Sequence, residues 1–164
     1  MPAPAPKKVR SAAPTKASAR LRRQFRLEAQ TNGEIIACFD GYSVGLGTFS
    51  ADAADRAQNL RRGLPLASFA SNSRNIDKEI NLLVRRLARR GLLEYPLGRS
   101  RIGEDMVVIE PQIPDYWPRT PQLGDADALV LSRFAYMRRR GNEMVLESPR
   151  AGACFRPAPR SRQA

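Results

Sequence analysis

The sequence predicts an α+β fold, and three observations carry that prediction. A strongly amphipathic helix can be read over residues 75–90, because apolar side chains recur there at the spacing of one helix face. Three short extended runs precede the helical region, and two apolar runs separated by a polar turn follow it. Strands gathered before and after a helical region, without regular alternation, are typical of the α+β class.

The predicted helix has an apolar face and a basic face. The apolar face consists of Ile76, Ile80, Leu83, Val84 and Leu87. The opposite face consists of Arg74, Lys78, Asn81, Arg85 and Arg89. Ser73 or Asn75 can cap the free first-turn amides, and Gly91 can end the helix in the left-handed conformation.

The elements around this helix follow a recognisable order. Residues 92–97 and 106–110 predict two strands about a polar turn, 98–105. Upstream, Ser50 and Asp52 begin a shorter helix over residues 51–62, and residues 64–70 are long enough for one more short helix. Helix, short helix, long helix and two-stranded ribbon is the order of a winged helix-turn-helix.

A β-layer is predicted in front of this unit. Phe25, Leu27 and Ala29 alternate with polar residues, a turn at residues 31–33 follows, and residues 34–40 return as a second strand. A third extended run covers residues 42–49 and is interrupted by two glycines. Together these elements predict a winged-helix-like domain over residues 24–110.

The net charge of +12 invites a nucleic-acid function, but its distribution weakens that interpretation. Residues 1–23 contribute +7 and contain no acid, and residues 150–164 contribute +4. Subtracting both from the total leaves residues 24–149 at +1. Residues 1–23 and 156–164 are poor in large apolar side chains, and we expect both to be disordered basic tails.

Two further segments follow the winged-helix-like region. Residues 111–124 contain four prolines and predict a connector, pinned by Trp117. Residues 125–155 predict a β-hairpin with a basic tip at residues 138–142, which would open a second module. Because a hairpin alone cannot bury its apolar face, it must pack on the winged-helix region, on a partner or on residues that this chain lacks. A homodimer is one form that such a partner could take.

Several classes of function are disfavoured. Gly41-Tyr42-Ser43-Val44-Gly45 matches the G-x-S-x-G nucleophile elbow, but the chain contains no histidine to serve as its base. Neither glycine-rich nucleotide motif is present, and no metal site is predicted. Cys38 and Cys154 are expected to be small buried residues. Without a membrane-spanning or signal-peptide run, we expect a cytoplasmic protein that does not bind membranes.

The basic side of the long helix, with Arg86, Arg90, Arg99 and Arg101 nearby, is open to three interpretations. It could enter a DNA major groove while the ribbon contacts phosphate. It could equally bind an acidic peptide that adds as a strand to the edge of the ribbon. The third interpretation is a solvated charged face with no ligand.

A resemblance to a known family makes peptide binding the preferred one of these three interpretations. Residues 131–152, reading LSRFAYMRRRGNEMVLESPRAG, together with residues 117–121 and 87–95, resemble the N-terminal part of SagB-type dehydrogenases. Members of that family oxidise azolines in ribosomally made peptides. The resemblance implies that the winged-helix region clamps the substrate peptide, while FMN and the chemistry belong to a nitroreductase-like domain that follows.

The resemblance does not extend to the catalytic domain. No residue matches a flavin-binding or catalytic position, so we expect no cofactor in this chain and a truncated or split member of the family. The expected partner is a peptide substrate or a nitroreductase-like catalytic subunit. The predicted peptide contacts are Lys78, Arg85 and Arg89 on the helix and Leu93, Glu94 and Tyr95 on an open strand edge. The alternative is a DNA-binding regulator that reads bases with Arg74 and Lys78.

Overall fold

The computed structural model describes residues 15–69, 74–99, 105–119, 128 and 130–158. Within these ranges the chain forms two α-helices, α1 (Ala51–Gln58) and α2 (Asn75–Arg89). The strands are β1 (Thr15–Leu21), β2 (Arg26–Ala29), β3 (Glu34–Phe39), β4 (Tyr42–Thr48), β5 (Leu64–Pro65), β6 (Leu93–Arg99), β7 (Asp105–Pro111), β8 (Tyr136–Arg140), β9 (Glu143–Glu147) and β10 (Ala153–Pro157). The fold is therefore a mixed α/β arrangement.

The strands form two sheets. The larger sheet has the order β5-β1-β6-β7-β10-β9-β8, and the smaller has the order β2-β3-β4. Every pairing among the described strands is antiparallel. The smaller sheet and the β6–β7 ribbon confirm the strands predicted at these positions, while the ribbon's turn, residues 100–104, lies outside the described residues.

One apolar core is shared by both sheets and both helices. The helix α2 supplies the buried side chains of Ile80, Leu83, Val84, Leu87 and Ala88. The smaller sheet supplies Leu27, Ile35, Ala37 and Leu46, and the larger sheet supplies residues that include Leu21, Leu93 and Tyr95. The apolar face predicted for α2 is thus the buried face, as its 3.6-residue spacing requires.

The two helices begin and end differently. The Ser50 side chain accepts a hydrogen bond from the Ala53 amide at 3.3 Å, which confirms the predicted start of α1. At α2 the cap position is Arg74, whose side chain makes no capping hydrogen bond. Asn75 is already helical, so its predicted capping role is wrong, and Ser73 lies outside the described residues. Gly91 has φ +67° and ends α2 as predicted.

The prediction of a disordered tail over residues 1–23 is wrong for residues 15–21, which form β1. This strand lies between β5 and β6 and buries Ala19 and Leu21. Its small and charged residues do not look like a core strand, but they fit here because Arg20 finds carboxylate partners on neighbouring strands. Residues 1–14 lie outside the described part of the chain.

The C-terminal region also contains a strand that was not predicted. The hairpin of β8 and β9 was expected, but β10 extends to Pro157, so the prediction of a tail from residue 156 is wrong at its start. The strand β10 lies between β7 and β9. The structure therefore joins the regions 24–110 and 125–155, which the sequence analysis assigned to separate modules, in one sheet. Residues 159–164 lie outside the described part.

The connector has no helix or strand over residues 112–119, as its prolines predict. Its Trp117 ring lies edge-on to Phe69 and Tyr95, with ring centroids 6.0 and 5.7 Å apart. The backbone of Tyr116 accepts a hydrogen bond from the Tyr95 hydroxyl at 2.8 Å. Trp117 therefore holds the connector against the core. Among the described residues, no helix is long and apolar enough to cross a membrane.

Candidate functional site

The three predicted helix contacts lie on the exposed side of α2, and two of them touch the chain itself. The Arg85 guanidinium stacks over the Trp117 ring, 4.1 Å from its centroid. Arg89 pairs with Asp115 at 3.4 Å, and both of these side chains are mostly exposed. Lys78 is exposed nearer the start of the helix. Arg85 and Arg89 therefore hold the connector in the described structure.

The prediction of an open edge at Leu93–Tyr95 is wrong. The strand β6 lies inside the larger sheet, where Leu93 pairs with Leu21 of β1 and Tyr95 pairs with Ile109 of β7. Glu94 is also buried, and it binds Arg20 at 2.7 Å. With neighbours on both sides, β6 cannot accept another strand. The error follows from the missed strand β1.

A different strand offers a free edge beside α2. The strand β4 pairs with β3, and no other described strand pairs with its second edge. Near the end of β4, the Arg86 guanidinium of α2 donates to the Leu46 carbonyl oxygen and lies over the Phe49 ring. The first half of β4 has no such contact within the described residues. Its Tyr42 side chain is 78% exposed.

The hairpin geometry identifies which backbone groups of β4 point outward. Asp40 and Gly41 have φ values of 43° and 82°, so they form a two-residue turn between Phe39 and Tyr42. The pair next to such a turn is hydrogen-bonded, and hydrogen-bonded and non-hydrogen-bonded pairs then alternate along the ribbon. The N–H and C=O groups of Ser43 therefore point away from β3 and are available to an added strand.

A small apolar pocket of about 180 Å³ lies next to this edge. The rings of Phe25 and Phe39, with centroids 5.0 Å apart, form part of its wall. Val44 of β4 and the residues Arg90 and Leu92 that follow α2 complete the side nearest the helix. An extended peptide paired with β4 could place an apolar side chain in this pocket and an acidic one near Arg90.

One face of the larger sheet carries a network of paired charges, of which Glu94 and Arg156 are buried. Arg20 bridges Glu94 and Asp105, each at 2.7 Å. Arg140 and Arg156 each donate to Glu110 at 2.7 Å. No buried polar side-chain atom in the described part of the chain lacks a partner. These charges are matched within the protein, so the network is suited to joining strands.

The titration of this network agrees with a structural role. Burial alone would raise the pKa of Glu110, but hydrogen bonds from Arg156 and Arg140 outweigh it and lower the pKa below its ordinary value. Burial, together with the nearby Glu110 carboxylate, raises the pKa of the Cys154 thiol. A thiol with a raised pKa is a poor nucleophile. Both cysteines are buried and unpaired, as predicted.

The G-x-S-x-G residues do not form the nucleophile elbow of an α/β-hydrolase. Ser43 lies within the antiparallel strand β4 and not on a strand-to-helix elbow. The described residues contain no group of three or more metal-ligating side chains. The site defined by β4 and α2 offers free backbone groups on a strand edge beside a basic helix, an arrangement suited to binding.

Comparison with protein families matches residues 129–160 to the cyanobactin oxidase ThcOx family. The match covers about a fifth of the chain and contains β8, β9 and β10. It therefore includes the whole of the run 131–152, on which the resemblance to SagB-type dehydrogenases mainly rests. No curated protein matches the chain. The chain is therefore a mixed α/β protein whose residues 129–160 are similar to a segment of the cyanobactin oxidase family.

Sequence reasoning located α2 and β4 but not the edge that lies between them. The extended run over residues 42–49 was predicted as a strand that two glycines interrupt. Gly47 approaches Arg86 closely, because a Cβ at this position would collide with the guanidinium. The exposed Tyr42 beside a basic helix was the signal that could have indicated a binding edge.

Proposed function

We propose that this chain is a non-catalytic module that binds an extended peptide and presents it to an oxidase. In this proposal α1, the short helical turns at Asn59–Arg61 and Leu66–Phe69, α2 and the β6–β7 ribbon form a winged-helix unit. The peptide adds as a fourth strand to β4 and runs beside α2. The free edge of β4 next to a basic helix and an apolar pocket is the observation that carries the proposal.

The position of the arginines on α2 favours a peptide over DNA. The three arginines of α2 already have partners inside the described structure: Arg85 with Trp117, Arg86 with Leu46, and Arg89 with Asp115. Arg74, at the N-terminal cap, pairs with Asp77. A recognition helix needs its side chains free to reach base edges and phosphates. Strand addition uses backbone groups of β4 and does not require these arginines to be released.

The oxidase partner is inferred from the resemblance. The match of residues 129–160 to a cyanobactin oxidase supports a role beside such an enzyme, and the resemblance to SagB-type dehydrogenases suggests a nitroreductase-like partner that holds FMN. In this arrangement the flavin supplies the oxidation, and the present chain supplies peptide binding. The hairpin β8–β9, at the edge of the larger sheet, is available for contact with the partner.

The peptide-binding proposal can be tested with a proline at the outward-facing position of β4. A fluorescent peptide would be selected from a random library for binding to the full chain. Ser43→Pro removes the outward N–H while proline remains compatible with an edge strand. Loss of this hydrogen bond should weaken peptide binding by roughly tenfold, measured by fluorescence anisotropy.

The matched control is Arg139→Pro. Arg139 precedes Arg140, which adjoins the two-residue turn between β8 and β9, so the Arg139 N–H also points outward, but on the edge strand of the larger sheet. This variant should bind the peptide as the unmodified chain does. Equal affinity of all three proteins would contradict strand addition at β4, and selective loss in Arg139→Pro would move the peptide site to β8.

A further inference from the structure

A second and larger cavity opens at the Tyr42 end of β4. It is a groove of about 780 Å³ between the end of the smaller sheet and the segment that joins β1 to β2. Phe25, Phe39, Tyr42 and Ser43 line both this groove and the apolar pocket beside α2. The two cavities therefore meet around the start of β4, and a chain leaving that strand edge would enter the groove.

The groove is strongly basic, and much of its positive charge has no acidic partner. Its lining includes Arg20, Arg22, Arg23, Arg26 and Arg61. Arg20 is neutralised by Glu94 and Asp105, and Arg26 pairs with Glu28 at 2.6 Å. The other three arginines make no ion pair with any carboxylate in the described part of the chain.

The three remaining arginines differ in how they are held. Arg22 donates from Nε and Nη2 to the carbonyl oxygens of Leu93 and Pro111, at 3.2 and 2.6 Å. These bonds fix its guanidinium without cancelling its charge. Arg23 and Arg61 are exposed. Asp40 is the one lining carboxylate without an ion pair among the described residues, so the groove retains an excess of positive charge.

We propose that this groove binds an acidic stretch of the peptide, directly beyond the segment that pairs with β4. The inference rests on the proposed strand addition, because the shared wall of the two cavities provides the continuity. Carboxylates of the peptide bind Arg22, Arg23 and Arg61, and an apolar or aromatic side chain packs on the exposed ring of Tyr42. The substrate class is thus a peptide with an acidic segment beside a strand-forming one.

The test uses fluorescein-labelled hexaglutamate, with hexaglutamine as the uncharged probe, titrated into the full chain. Hexaglutamate should bind, and hexaglutamine should not. The double variant Arg23→Glu/Arg61→Glu reverses two charges in the groove and should weaken hexaglutamate binding at least tenfold. If that variant fails to fold by circular dichroism, Arg23→Gln/Arg61→Gln removes the same charges without adding carboxylates and should weaken binding in the same direction.

The matched control is Arg62→Glu/Arg139→Glu, which produces the same net charge at two exposed positions outside the groove. It should leave hexaglutamate binding within about threefold of the unmodified chain. An equal loss in both double variants would overturn the proposal, because attraction would then depend on total charge. Tighter binding of a labelled single-stranded oligodeoxynucleotide with the same dependence on Arg23 and Arg61 would also overturn it and assign the groove to nucleic acid.

A further variant separates this proposal from the function on which it rests. Gly45→Pro removes the other outward-facing N–H of the first half of β4, at a residue that does not line the groove, so it impairs strand addition and hexaglutamate should still bind to it. If the proline variant of β4 loses the selected peptide but still binds hexaglutamate, both proposals are supported. If that variant still binds the selected peptide, while Arg23→Glu/Arg61→Glu loses hexaglutamate, the groove is supported and strand addition at β4 is contradicted.

Discussion

Arg20 of β1 and Glu94 of β6 face each other across paired strands, and the Arg20 Nε donates to the Glu94 Oε1 at 2.7 Å. The Arg20 and Glu94 side chains are 17% and 6% exposed. Arg20 also binds Asp105 of β7, so one guanidinium links three neighbouring strands. This relationship explains how a segment rich in small and charged residues becomes an interior strand.

Replacing Arg20 by methionine should destabilise the protein markedly. The change keeps much of the side-chain volume but leaves buried Glu94 with only the longer 3.5 Å contact to Arg156 and leaves Asp105 without this partner, and breaking a buried ion pair costs up to about 3 kcal/mol. The free energy of unfolding would be measured by urea denaturation. Arg26→Met is the control, because the Arg26–Glu28 pair is exposed and solvent screening leaves it little contribution to stability. Equal effects of the two substitutions would contradict the structural role of Arg20.

Removing β1 should prevent folding, whereas removing the residues before it should not. A chain that begins at Thr15 keeps the strand, while a chain that begins at Arg22 loses Ala19 and Leu21 from the core and uncovers β6. We expect cooperative urea unfolding for the first and not for the second. A cooperative transition in the shorter chain would show that β1 is dispensable.

Glu110 should make the stability sensitive to acid. Its pKa is held below the ordinary value of about 4.5 by Arg156 and Arg140, so the folded state favours the ionised carboxylate. The resulting stabilisation is present above that ordinary pKa and is lost as the pH falls through the lower pKa of the folded state. Unfolding free energies measured from neutral to acidic pH should therefore decline less steeply in Glu110→Gln.

The control for this pH dependence is Glu28→Gln, at a pair that is largely exposed. It should follow the pH profile of the unmodified protein. If Glu110→Gln retains the full decline in stability at acidic pH, the Arg140–Glu110–Arg156 cluster does not contribute as its geometry indicates.

Substitutions on the two sides of α2 should distinguish the peptide's path. Arg90 lines the pocket next to β4, so Arg90→Glu should weaken binding of the selected peptide by repelling its acidic residues. The double variant Arg85→Glu/Arg89→Glu should have the smaller effect, because these arginines contact the connector. Fluorescence anisotropy would compare the variants. The opposite order would place the peptide on the face that the sequence alone predicted, with Lys78, Arg85 and Arg89.

The sequence predicted an element correctly where the residues of that element alone determine its structure, and missed it where a distant partner does. The helix α2 was predicted because its buried side chains follow one helical period and Gly91 marks its end. The strand β1 was missed because its reason for being a strand is a partner more than seventy residues away, at Glu94. Nothing in the local composition of residues 15–21 indicates that pairing.

In the candidate site, too, the sequence predicted the separate elements but not how they are arranged. The run containing Tyr42 and Ser43 was predicted to be extended, and its neighbour α2 was predicted to be basic. The free edge depends on sheet order, which is a property of distant pairings, and the missed strand β1 led the sequence analysis to the wrong edge at Leu93. The groove arginines Arg22 and Arg23 were assigned to a tail for the same reason.

Amide hydrogen exchange would show whether a peptide adds to the free edge of β4. Exchange would be measured on the full chain with and without the selected peptide. We expect slower exchange of the Ser43 amide when the peptide is bound, and unchanged exchange of the outward-facing Arg139 amide on β8. Unchanged exchange at Ser43 under saturating peptide, or protection confined to β8, would show that the peptide does not add to β4.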